Sequence, residues 1–252
     1  NGLPEGTVYP TGFTGTNWQD QIFRTAVSQD YTLQITGGNE KGNHLISGNY
    51  LNQEGIIKRT AFRRYGAQIN LNRNVSKFFQ VGSNTNITYT YYQLGKTNTS
   101  GAQPSLISSA LFFPPTWPLE DPYADVRQQY VNASGLSNPL LSIYNSNDKT
   151  NSSRIYTSGY GQLNFSRYFN FRQRFGFNAN SNFRQTYYSR NIPEGRVPGG
   201  LASEAQNSYS QLTLESLLNF KKTFKKVHNV TSVPAFAYEK GNSYWNQQRA
   251  SN

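Results

Sequence analysis

The sequence predicts an all-β fold, an antiparallel transmembrane β-barrel segment of about eight strands, and three observations predict it. First, apolar residues are scarce while aromatics are abundant: 35% of the 252 residues are hydrophobic, and 15% are aromatic, with 18 Tyr and 16 Phe. Mean hydropathy is -0.70. A soluble core needs more aliphatic side chains, and a disordered chain would lack the rings. A barrel reconciles the two, because its lumen face is polar, its outer face is apolar, and its aromatics collect at two interfaces. Second, polar and apolar residues alternate with period two over repeated segments. Third, the connections between those segments alternate short and long, as periplasmic turns and extracellular loops do.

Residues 1–28 show no clear period and are expected to form a connecting segment or loop within the barrel domain; residues 29–252 hold the strands. Gln29 to Thr36 and Asn43 to Asn52 are short candidates. In Phe62 to Asn72, Tyr65, Ala67, Ile69 and Leu71 oppose Arg64, Gln68, Asn70 and Asn72. Phe79 to Gln93 sets Val81, Ile87 and Tyr89 against Gln80, Asn84 and Asn86. Arg154 to Arg167 sets Ile155, Leu163 and Phe165 against Gln162 and Asn164. In Gln173 to Gln185, Phe175 and Phe177 oppose Arg174 and Asn178; in Asn207 to Lys221, Leu212 and Leu214 oppose Gln211 and Glu215. Successive side chains of a strand point to opposite faces. Phe175, Phe177, Leu212, Leu214, Ile69 and Leu71 are therefore expected to face lipid, and Arg174, Asn178, Gln211 and Gln68 the lumen. His228 to Glu239 is weakened as a strand by Pro234, which cannot donate to a ladder.

Short connections are expected at Gly37–Gly42, Arg73–Phe78, Tyr168–Arg172 and Lys222–Val227, and longer ones at Gln53–Ala61, Leu94–Ser153 and Tyr188–Gln206. The weakest strands lie at the two ends of the series, so the strands are not expected to close a barrel by themselves. Leu94 to Ser153 is too long for a structureless loop. Within it, Leu106 to Phe113 reads as a short helix ended by Pro114, Pro115 and Pro118. Residues 94–153 are expected to be extracellular, with Trp117, Tyr123, Arg127 and Tyr130 as candidate ligand contacts. Aromatics stack on sugar rings, and arginine grips carboxylates. The plainer reading is that these four pack the loop against its neighbours.

Several segments resemble, in order and spacing, those of the SusC-like (RagA-type) TonB-dependent outer-membrane transporters of Bacteroidota. Asn17 to Ala26, NWQDQIFRTA, resembles their DWQDEIFRTA; Ile35 to Lys41 resembles SGGNEKT; Ser47 to Lys58, SGNYLNQEGIIK, resembles SGGYFNQEGIIK. Arg64-Tyr65 with Ile69 to Leu71 resembles their KRYSGRINLD strand, and Asn219-Phe220, His228 and Tyr238-Glu239 resemble a later hairpin. Asn17 departs from the usual Asp, and the Lys221–Lys226 turn is more basic. The resemblance implies a plugged barrel of about 22 strands, of which this chain is expected to be a fragment without plug or C-terminal strands. It also implies import of a glycan or peptide, coupling through the plug to TonB, a SusD-like surface lipoprotein as lid, and an outer-membrane location in a Gram-negative bacterium. A soluble or surface-attached all-β ligand-binding module and a small self-contained outer-membrane barrel are the alternatives.

Catalysis finds no constellation. His44 and His228 are the only histidines, and neither has a Ser or carboxylate at triad-like spacing. Glu120, Asp121 and Asp125 lack the regular spacing of a calcium loop, Gly37-Gly38 precedes no helix, and no cofactor or metal is expected. With no cysteine there is no disulfide or zinc-thiolate site, which fits an extracytoplasmic protein. No run of about 18 apolar residues is present for a membrane helix. The net charge of +11 is spread along the chain except at Lys221, Lys222, Lys225 and Lys226, which read as a solvated turn. No nucleic-acid motif accompanies the charge, so nucleic acid is not expected as a partner.

Overall fold

The computed structural model describes residues 15–95, 105–115, 119 and 138–251. One antiparallel sheet dominates it. The strands are β1 (Ser28–Asn39), β2 (Gly42–Glu54), β3 (Ala61–Asn74), β4 (Phe79–Gln93), β5 (Ser146–Asn164), β6 (Phe169–Tyr188), β7 (Leu201–Phe224), β8 (His228–Ser232) and β9 (Ala235–Ser251). Each pairs with its sequence neighbour from β1 to β8, and β9 also pairs with β7. Among the described residues β1 and β9 do not pair with each other, so the sheet is open, as expected.

β8 and β9 are one strand interrupted. Phe220 lies opposite Ser232 and Leu217 opposite Ala235, so the register is unbroken across Pro234. Proline removes one ladder donor, but its carbonyl still accepts from the Leu218 amide at 3.1 Å. The expected last strand, His228 to Glu239, therefore runs on to Ser251, and the nine labelled segments occupy eight strand positions, in line with the expected number.

Other boundaries moved for physical reasons. β5 starts at Ser146 rather than Arg154, because Ser146–Ser153 is polar on both faces and shows no period, yet it pairs with Tyr89 to Gln93 and with Ser181 to Tyr188. Gly37 and Gly38 belong to β1 rather than to a turn, which narrows to Glu40-Lys41. The His44 ring lies over Gly37, where a Cβ would come within 2.7 Å of it. At the tip of β7–β8, Lys225 and Lys226 have φ of 50° and 58°, and the Val227 amide donates to the Phe224 carbonyl at 3.1 Å. Two consecutive positive φ values make the hairpin turn that normally takes Asn-Gly. Placing lysines there costs about 1–2 kcal/mol per residue.

The sheet is a single layer with two chemically distinct faces. Of the strand residues described, only Leu51 is a buried hydrophobic. On one face, Leu33, Ile35, Ile46, Ile69, Leu71, Ile87, Phe175 and Leu218 are all exposed. An apolar surface of that extent has no place in water. It is bounded at both ends by rings. Tyr31, Tyr50, Tyr65 and Tyr89 form a row across four strands, with centroids 6.4, 5.0 and 6.3 Å apart. Near the short turns, Phe169 stacks on Phe165 at 6.1 Å and meets Phe220 at 4.7 Å. On β4 the apolar face runs from Phe79 to Tyr89, about 34 Å along the strand. At a barrel tilt of roughly 40° that is about 26 Å across, the height of a transmembrane barrel's apolar band.

Candidate functional site

The second face is built from short polar side chains in register. Arg174 lies opposite Glu215 and Asn178 opposite Gln211; Gln68 lies between Ser47 and Asn86. All four expected lumen residues thus share one face, and Phe175, Phe177, Leu212, Leu214, Ile69 and Leu71 share the other. Arg174 reaches Glu215 Oε2 at 3.4 Å. Both side chains are well exposed, so the pair positions charge more than it stabilises the sheet.

The longest connected row crosses five strands. Asn72, Gly82 and Tyr160 lie side by side on β3, β4 and β5. With no side chain at Gly82, the Tyr160 ring lies across it and donates its hydroxyl to Asn72 Oδ1 at 3.2 Å. Asn72 Nδ2 donates in turn to Asn43 Oδ1 at 3.1 Å. The Arg172 guanidinium stacks over Tyr160 at 4.7 Å, held by Nε donating to Gln162 Oε1 at 2.8 Å. Nearer the long loops, Asn49 Nδ2 donates to Asp30 Oδ1 at 2.7 Å, and its carbonyl accepts from Arg64 Nη2 at 3.1 Å. The carbonyl oxygens of Asn70 and Asn178 are buried on this face with no protein partner. A surface of amides, hydroxyls and guanidiniums can hydrate or hydrogen-bond a polar solute.

At the long-loop end a small helical cap supplies the hydrophobic core. Helices α1 (Trp18–Ile22), α2 (Leu106–Phe112) and α3 (Pro139–Asn145) bury Trp18, Ile22, Leu106, Ala110, Phe113, Leu140 and Ile143 together with Ile57. Each start has a local cause. Asn17 caps α1, accepting from the Gln19 and Asp20 amides, so the Asp-to-Asn departure keeps the cap. Ser105 caps α2 and Asn138 caps α3. Helix α2 falls where the prolines placed it. The Pro114 carbonyl accepts from Trp18 Nε1 at 3.0 Å and the Pro115 carbonyl from the Thr16 amide at 2.8 Å. The first and third resemblance segments meet here. Arg24 donates to the Gly55 and Thr60 carbonyls and pairs with Glu54 at 3.3 Å, and Phe23 bridges Ile57. Arg59, at φ 62°, donates to the carbonyls of Ile143 and Tyr144. A second small core joins Leu141 to Ile192, ahead of the short helix α4 (Pro193–Arg196).

Trp18–Ile22, within the stretch expected as a connecting segment, thus forms part of this cap. The cap is what sequence reasoning missed. Its signal was present in the apolar positions of the resemblance segments, Trp18, Ile22 and Ile57. Trp117, Tyr123, Arg127 and Tyr130, the candidate ligand contacts, lie outside the described residues.

No family model matches the chain. It is 25% identical over 241 residues to TonB-dependent receptor P3 of Formosa agariphila, covering 92% of this chain and 23% of that protein. It is 37% identical over 134 residues to TonB-dependent receptor SusC of Bacteroides thetaiotaomicron, covering 51% of this chain and 13% of that protein. The chain therefore spans less than a quarter of the length of these relatives. Its fold matches the RagAB peptide importer in the closed-closed state with a TM-score of 0.73 at 16% identity, over 98% of this chain and 28% of that one. In the open-open state of the same importer the TM-score is 0.70. Strand topology, the two-faced single sheet and these likenesses agree on a segment of a transmembrane β-barrel, similar in sequence to SusC and other TonB-dependent receptors.

Proposed function

We propose that this chain forms part of the wall and outer cap of an outer-membrane transporter that imports a glycan or peptide. The observation that carries the reading is the single-layer sheet, apolar with aromatic borders on one face and polar on the other. Lipid covers the first face, and the second lines a polar route. A soluble two-layer module would bury one face of its sheet against a second layer. An open edge cannot persist in hydrocarbon, because each unpaired backbone group costs several kcal/mol, so further strands complete the barrel.

In this reading the short turns are periplasmic and the capped end is extracellular. The cap and residues 94–145 then lie over the mouth, where a SusD-like lipoprotein closes on the ligand, and TonB acts through a plug from the other side. Trp117, Tyr123, Arg127 and Tyr130 are ligand or lid contacts, and Arg174, Asn178, Gln211 and Gln68 line the route. The test is deletion of residues 120–137 from the full-length receptor, which spares α2 and α3. Heat-modifiable gel migration should persist, while uptake and co-purification of the lipoprotein fall at least tenfold. Normal uptake and normal complex formation would overturn the loop's role. A receptor that extracts from cells without detergent would overturn the membrane reading.

A further inference from the structure

We propose that the rim at the short-turn end is a binding surface for anionic glycerophospholipid headgroups in the leaflet it meets; this rests on the membrane reading above. Basic residues occur along the whole chain, but acids are nearly absent at this rim, so it carries a net positive charge. Lys41, Lys77, Arg167, Lys225 and Lys226 stand in or beside the four short turns, and Arg73, Lys221 and Lys222 on the strand ends next to them. Within five residues of those turns, Glu40 is the one acid among the described residues. At the other end, by contrast, Arg24 pairs with Glu54 and Arg184 with Asp148. Among the described residues no ion pair involves a rim cation, so the rim keeps its charge for something outside this sheet.

The position of that charge selects the partner. Arg73 and Lys222 are on the apolar face, at the short-turn ends of β3 and β7. Lys222 Nζ lies 4.9 Å from the ring centres of both Tyr168 and Phe224, and Arg167 lies 4.7 Å over Tyr168. Cations seated on rings at the edge of a hydrocarbon band stand at phosphate depth. A hollow of about 580 Å³ on β1–β4 adds a niche farther along the sheet, with His44, Leu71, Arg73, Val81 and Ser83 among its lining. Apolar side chains can take the start of an acyl chain while Arg73 and His44 meet its phosphate. The β7–β8 tip also carries Lys225 and Lys226 in positive-φ positions that Asn-Gly would fill without strain. A soluble acidic protein would need none of the adjoining hydrocarbon face, whereas a lipid uses charge and apolar surface together.

The experiment uses the full-length receptor in phosphatidylcholine vesicles, with a trace of spin-labelled phosphatidylglycerol or spin-labelled phosphatidylcholine as probe. The motionally restricted fraction should favour phosphatidylglycerol by about fivefold, the contribution of one basic group near an anionic surface, and the preference should shrink in salt. Neutralising the rim with Lys41→Gln, Arg73→Gln, Lys77→Gln, Arg167→Gln, Lys221→Gln, Lys222→Gln, Lys225→Asn and Lys226→Gly should bring the ratio to about one. The last two changes relieve the turn, so the variant is expected to fold, and heat-modifiable migration verifies that it has. Lys225→Arg with Lys226→Arg should keep the preference. Equal restriction of both probes by the unmodified receptor, or an unchanged ratio in the neutralised variant, overturns the proposal. The orientation fails separately: a Ser76→Cys receptor labelled by an impermeant maleimide in intact cells overturns the periplasmic placement and leaves the headgroup measurement standing.

Discussion

Trp18 and Phe113 meet edge to face, ring centres 4.9 Å apart with planes at 85°, and this contact joins the segment before β1 to the helix between β4 and β5. Both side chains are buried, in a molecule whose sheet buries almost nothing. Phe113→Ala should cost the cap about 3–5 kcal/mol, as large aromatic truncations do, while the sheet stays intact. Limited proteolysis should then cut between residues 94 and 145 in a variant whose heat-modifiable migration is normal. Resistance equal to the unmodified protein would show that the cap does not depend on this contact.

Gln211 and Leu212 are adjacent in β7 and belong to opposite faces of the sheet. In the full-length receptor, Gln211→Cys should react with a water-soluble maleimide, and Leu212→Cys should react far more slowly. A bilayer-embedded quencher should reverse the order for a fluorophore at the two sites. Equal reactivity at both positions would remove the lipid and lumen assignment.

Gly82 is a packing position for Tyr160. A Cβ there would overlap the tyrosine ring and come within 2.5 Å of Asn72 Oδ1. Gly82→Ala should therefore destabilise the barrel by about 1–3 kcal/mol, read as a lower urea midpoint for refolding into detergent micelles. Adding Tyr160→Ala should recover much of the loss. Tyr160→Phe alone removes one hydrogen bond and should cost about 1 kcal/mol. A Gly82→Ala variant as stable as the parent would show that Tyr160 does not need the glycine's space.

Lys225→Asn with Lys226→Gly should stabilise the β7–β8 hairpin by about 1–2 kcal/mol, because both residues adopt positive φ more readily than lysine. Slower hydrogen exchange at the Phe224 and Val227 amides would report it. Unchanged or faster exchange would mean that the lysines are not strained there.

Strands are legible in the amino-acid order wherever one face is greasy and the other polar, since a strand converts period two directly into two faces. Phe175 with Phe177 and Arg174 with Asn178 were legible for that reason. So were helix α2, bounded by prolines, and the division into short and long connections. Where both faces are polar, as in Ser146–Ser153, the alternation carries no contrast, and only pairing with Tyr89–Gln93 and Ser181–Tyr188 made a strand. Likewise Pro234 weakens His228 to Glu239 as a strand in the sequence, and the register with β7 is what carries the strand past it. The cap and the Asn43–Asn72–Tyr160–Arg172 row were decided by tertiary structure alone. Their members come from segments far apart in the chain, and a burial or a hydrogen bond between such residues exists only once the sheet has set their register.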